Sequence, residues 1–123
     1  MHILLAEDDL AGQVIVRHIL ERLGHCVVVV GNGSEAVEAA ERWRFDVILM
    51  DIQMPGLDGF AATVQIRENE RTKPFRTPIV ALNSIDLGHI FFEAGMDGYL
   101  PKPANSDSVT AALRAVRTSA VSP

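Results

Sequence analysis

The sequence predicts one α/β domain: a doubly wound, five-stranded parallel sheet in a three-layer α/β/α arrangement. Two observations carry this. Short apolar runs alternate five times with stretches of helical periodicity along 123 residues, and strands joined through helices run parallel with right-handed crossovers. The run Val47 to Met50 is also apolar without alternation, as in strands buried on both faces of a parallel sheet. The length suits a single core and is too short for two.

Each element follows in order. His2 to Ala6 is apolar and stops at Glu7-Asp8-Asp9. Leu10 to Leu23 carries Val14, Ile15, His18, Ile19 and Leu23 at helical spacing, with Arg17, Glu21 and Arg22 opposite, and Gly24 supplies a left-handed cap. Cys26 to Val30 is a β-branched strand, and Gly31-Asn32-Gly33 turns the chain. Ser34 is expected to cap a helix with Ala36, Val37, Ala40 and Trp43 on its inner face, Trp43 closing the core. Phe45 to Met50 is the third strand, ended by Asp51 and broken by Pro55-Gly56 and Asp58-Gly59. Phe60 to Glu70 reads as helix, with Phe60, Val64 and Arg67 spaced along one face. Pro78 to Leu82 is the fourth strand, a short helix ends at Gly95, and Asp97 to Leu100 is the fifth strand, stopped by Pro101-Lys102-Pro103. Asn105 to Ser108 opens a last helix over Val109 to Val116.

Composition narrows the function classes. A net charge of −5 without a basic stripe argues against nucleic-acid binding. The single cysteine, Cys26, excludes an internal disulfide and a cysteine-based metal cluster. It is expected to be a small core residue. No apolar run reaches membrane-spanning length, and Asp8 and Asp9 interrupt the N-terminus before a signal-peptide core could form. A cytoplasmic domain with no membrane partner is therefore expected. His2, His18, His25 and His89 show no metal-ligand spacing, and Met50 and Met54 read as packing.

All five strand ends share one edge of the sheet, where open α/β domains place their chemistry. Glu7-Asp8-Asp9, Asp51, Asn83-Ser84 and Lys102 follow the first, third, fourth and fifth strands. Taken alone, Asp51 is either a strand-end cap held by backbone N–H groups or a working carboxylate. Clustered carboxylates need a counter-charge, and Lys102 or a divalent cation supplies it. Oxygen ligands without His or Cys select Mg²⁺ or Mn²⁺. Asp51 would then act as a nucleophile giving an acyl phosphate, with the cation and Lys102 neutralising charge.

Leu5-Ala6-Glu7-Asp8-Asp9, Asp51-Ile52-Gln53-Met54-Pro55-Gly56-Leu57-Asp58-Gly59, Pro78 to Leu82 and Ala94 to Pro103 together resemble the receiver domain of two-component response regulators. The likeness spans the chain, and the segments Leu49 to Pro55 and Gly95 to Pro103 are most similar to receivers attached to hybrid histidine kinases. The resemblance implies a flavodoxin-like receiver over residues 1–118 with a frayed tail at 119–123. It implies that Asp51 takes a phosphoryl group from the phosphohistidine of a histidine kinase or histidine phosphotransfer domain. Metal binding would fall to Asp8 and Asp51 directly, to the Gln53 carbonyl, and to Glu7 mainly through water; Asp9 would cap the first helix. The activity implied is at most self-catalysed aspartyl phosphorylation and dephosphorylation, with no turnover of an external substrate. A weak homodimer is left open.

Two positions depart from the pattern. Where the family places Thr or Ser after the fourth strand, the chain has Asn83, and Ser84 follows. Asn83 and Lys102 are 102 − 83 = 19 residues apart, short of the family spacing by most of a helical turn, so the missing residues are expected to come from the loop and the fourth helix. Asn83, with Lys102, is nonetheless assigned to the reacting centre, and Asn83, Ser84 and Tyr99 are the switch candidates, Tyr99 reading equally as an edge packing residue. Lys102-Pro103 is expected to be cis if it follows the family. The alternative function is a pseudo-receiver, the same fold serving as a phosphorylation-independent docking module. A nucleotide- or flavin-binding domain is disfavoured because no glycine-rich loop follows the first strand.

Overall fold

A computed structural model describes residues 1–121. Its strands are β1 (His2–Ala6), β2 (Cys26–Val30), β3 (Val47–Asp51), β4 (Ile79–Asn83) and β5 (Gly98–Pro101). Its helices are α1 (Leu10–Arg22), α2 (Gly33–Arg42), α3 (Gly59–Glu70), α4 (His89–Ala94) and α5 (Ser106–Val121). The strands form one parallel sheet in the order β2-β1-β3-β4-β5. Pairing Leu5 with Leu49 and Asp51 with Leu82 sets the strand ends level. One apolar layer packs Ile48, Met50, Ile79 and Ala81 against Ala36, Ala39, Ala62, Ile66 and Phe91 of α2, α3 and α4. The other packs Ile3, Leu5, Leu49 and Leu82 against Val16 and Leu20 of α1 and Val109 and Leu113 of α5. The three layers are those expected from the sequence. Among the described residues no helix is long and apolar enough to cross a membrane.

Several local expectations are corrected. α1 buries Val16 and Leu20, whereas Val14, Ile15 and Leu23 are exposed. This helix is apolar on too many sides for periodicity to set its phase, and the sheet chose another stripe. Cys26 is exposed rather than in the core, because β2 is an edge strand. Asn32, not Ser34, caps α2, its side chain accepting from the Glu35 N–H at 2.8 Å. Trp43 lies past the end of α2, 56 % exposed, with Arg42 over its ring; Ala36 and Ala39 fill the space it was expected to close. Val64 is exposed, and α3 buries Ala62, Thr63 and Ile66 instead.

β4 and β5 each end one residue later than expected, with Asn83 paired to Pro101. α5 starts earlier, through reciprocal capping: the Ser108 N–H donates to Asn105 Oδ1 at 2.8 Å and the Asn105 N–H to Ser108 Oγ at 2.9 Å. The helix runs on to Val121, into the segment read as tail, and residues 122–123 lie outside the described residues. α4 has only six residues, and Gly95 closes it at φ 103°.

Candidate functional site

β3 carries Asp51 to the rim of the sheet at its last position, where the residue is 3 % exposed. β1 ends one residue before Glu7, itself 2 % exposed, while Asp8 stays open to solvent. Carboxylate oxygens of Glu7, Asp8 and Asp51 converge within 4.8 Å of one another. The Lys102 ammonium reaches this cluster from beyond β5, donating to Asp51 Oδ2 at 2.9 Å and pairing with Glu7 Oε1 at 3.0 Å. Its backbone is held by an N–H bond to the Asn83 carbonyl at 2.9 Å and is followed by a cis peptide to Pro103.

The electrostatics follow from this crowding. Burial, together with the neighbouring Asp51 carboxylate, pushes the Glu7 carboxyl up to about 7, only partly opposed by Lys102. Burial alone would lower the Lys102 value, but the hydrogen bonds and charges of Asp51 and Glu7 outweigh it and the net shift is upward. An oxygen-only donor set of this charge, with one open face at Asp8, suits Mg²⁺ or Mn²⁺.

The other sequence candidates are placed less uniformly. Asp9 caps α1, accepting from the Gly12 N–H at 3.0 Å. Gln53 is exposed, two residues beyond Asp51. Asn83 does not bond Asp51; its amide donates to the Ile85 carbonyl at 2.8 Å and holds the turn after β4. Ser84 lines a groove with Glu7, Ile15, Lys102 and Pro103. Tyr99 stacks on Phe91 at 5.5 Å, and Phe91 in turn meets Phe60 at 5.9 Å, so the ring joins the packing under α4.

Sequence reasoning missed three supports. The Gln13 amide holds the Glu7 carbonyl at 2.6 Å. Gly59 lets α3 begin against the rim, since a Cβ there would stand 2.9 Å from Ile52 Cα. At the opposite edge, Arg67 bonds the Gly95 and Thr77 carbonyls and pairs with Glu70 and Asp97. Only Gly59 left a sequence trace, in the Asp58-Gly59 break.

The response regulator receiver domain model matches residues 3–114. The chain belongs to this family. As a receiver of the two-component phosphorelay type it is related to the receiver domains of histidine kinases. A probable histidine kinase of rice (Oryza sativa subsp. indica) is 38 % identical over 94 % of this chain, which spans 13 % of that protein. The receiver domain of a Pseudomonas aeruginosa sensor histidine kinase, solved with magnesium coordinated in its active-site cleft, superposes with TM-score 0.83 at 40 % identity, covering 92 % of this chain and 93 % of that one. A Saccharomyces cerevisiae receiver domain, solved in complex with a histidine phosphotransfer protein, superposes with TM-score 0.80 at 28 % identity, covering 89 % and 83 %.

Proposed function

We propose that this receiver accepts a phosphoryl group on Asp51 from a phosphohistidine of a histidine kinase or histidine phosphotransfer protein. The observation that carries the reading is Lys102 bonded to Asp51 inside a cluster of three converging carboxylates. An Asp51 oxygen attacks phosphorus as the P–N bond to the donor breaks, and the imidazole leaves neutral with its other nitrogen protonated. Lys102 offsets the charge that gathers on the phosphoryl oxygens; a fixed ammonium suffices, and no proton need leave it. Water later attacks phosphorus, returning the carboxylate and inorganic phosphate. A Mg²⁺ or Mn²⁺ ion held by Asp8, Asp51 and the Gln53 carbonyl, with Glu7 through water, would supply further charge neutralisation. Exposed Leu10, Val14 and Ile15 beside the site support approach by a protein partner. A cytoplasmic setting fits that partner.

With Mg²⁺ and a small-molecule phosphodonor, the intact protein should gain the mass of one phosphoryl group and Asp51→Asn none; equal labelling of that variant refutes the assignment.

A second reading, a docking module indifferent to phosphorylation, draws support from Asn83 bonded to Ile85 and from the six-residue α4. It requires equal partner affinity with and without a beryllofluoride mimic, measurable by calorimetry with a histidine phosphotransfer protein.

A further inference from the structure

Gly12 stands in the first turn of α1, its N–H already used by the Asp9 cap. A Cβ at Gly12 would lie 2.9 Å from Glu7 Cδ and 3.2 Å from Cγ, and closer still to Oε1. Oε1 is the oxygen paired with Lys102 at 3.0 Å. Every neighbour that such a Cβ meets most closely belongs to the Glu7 side chain. The backbone has no need of glycine here, because Gly12 is not among the positive-φ residues. In a helix, glycine is a worse choice than alanine. The missing side chain therefore has its effect on Glu7.

We infer that Gly12 is a positioning residue for the acid pair: the hollow it leaves lets the longer of two acids fold back onto Lys102 instead of swinging outward. Gln13 fixes the same residue from the backbone side, holding the Glu7 carbonyl at 2.6 Å. Between them, the first turn of α1 sets where the Glu7 carboxylate stands. Glu7 fills the hollow from Cγ outward; an Asp at position 7 would end one methylene sooner and lose the closest of these contacts, the one at Oε1. The inference rests on the metal-dependent phosphoacceptor reading and adds a residue that the reading does not contain.

The test is a cycle of Gly12→Ala, Glu7→Asp and the double variant, read by Mg²⁺ calorimetry and thermal unfolding. Gly12→Ala should keep or raise the melting temperature while weakening Mg²⁺ about tenfold, the usual scale for disturbing a group that orients a metal site. The double variant should recover most of that affinity, because the shorter acid gives up the closest contact with the new methyl. Unchanged affinity in Gly12→Ala, or no recovery in the double variant, overturns the inference. If the unmutated protein binds no Mg²⁺, the metal reading itself fails. The crystal structure of Gly12→Ala then decides: Glu7 displaced from Lys102 upholds the positioning role, and Glu7 still in place overturns it.

Discussion

Asp51 is buried at the end of β3 yet flanked by Glu7 and Asp8 from the end of β1 and by Lys102 from beyond β5, so crowding carboxylates and their counter-charge arrive from different strand ends. Asp8 differs from Glu7 and Asp51 in being exposed, which leaves it free to meet a hydrated cation. Replacing it by Ala should abolish Mg²⁺ binding in calorimetry while leaving the metal-free protein folded and no less stable, since one repelling carboxylate is gone. Retained affinity in that variant refutes the role of Asp8. Trp43 is a poor optical reporter for this experiment, because it lies past the end of α2, outside the core.

At the scale of elements, the region after β4 holds the switch candidates. The Asn83 amide is spent on Ile85, α4 is short, and Tyr99 is stacked under Phe91. A phosphoryl group on Asp51 shifts an equilibrium only by its difference in affinity for two states. Beryllofluoride should therefore move amide resonances of α4 and Tyr99 little, and Asn83→Thr should enlarge the response. Large shifts running from Asn83 to Tyr99 in the unmutated protein would show that a full switch survives. The α3 helix is pinned differently, by Arg67 reaching Thr77, Gly95, Glu70 and Asp97. Arg67→Ala leaves those groups with lost partners in a largely buried place and should cost roughly 3 kcal/mol in urea unfolding. A loss below about 1 kcal/mol would mean that water replaces the guanidinium.

For the whole molecule, the buried Glu7 couples folding to pH. Its carboxyl is raised from 4.5 to about 7, so the folded protein holds a proton that the unfolded chain releases. Stability from this group is fully present below about pH 4.5 and is lost as pH rises through 7, by roughly 3 kcal/mol. Metal-free protein should melt lower at pH 7.5 than at pH 5.5, and Glu7→Gln should flatten that slope. A slope unchanged by Glu7→Gln would place its origin elsewhere. Saturating Mg²⁺ should raise the melting temperature at pH 7.5 through its preference for the folded state.

The element order, the parallel sheet and the meeting of Glu7, Asp8, Asp51 and Lys102 at one rim were legible in the sequence, because apolar runs and turn residues act locally and strand ends in such a sheet must share an edge. The phase of α1, the exposure of Cys26 and Trp43, and the bond from Asn83 to Ile85 were not legible. Each depends on which neighbour an element meets: an apolar helix surface offers more than one stripe, and strand order decides which strand is an edge. A polar side chain at a turn chooses among acceptors that only the folded chain assembles. Gly12 is the clearest instance. In sequence it is a weak helix residue four places beyond Asp8, and only the return of α1 over the sheet makes its missing side chain the space that Glu7 occupies.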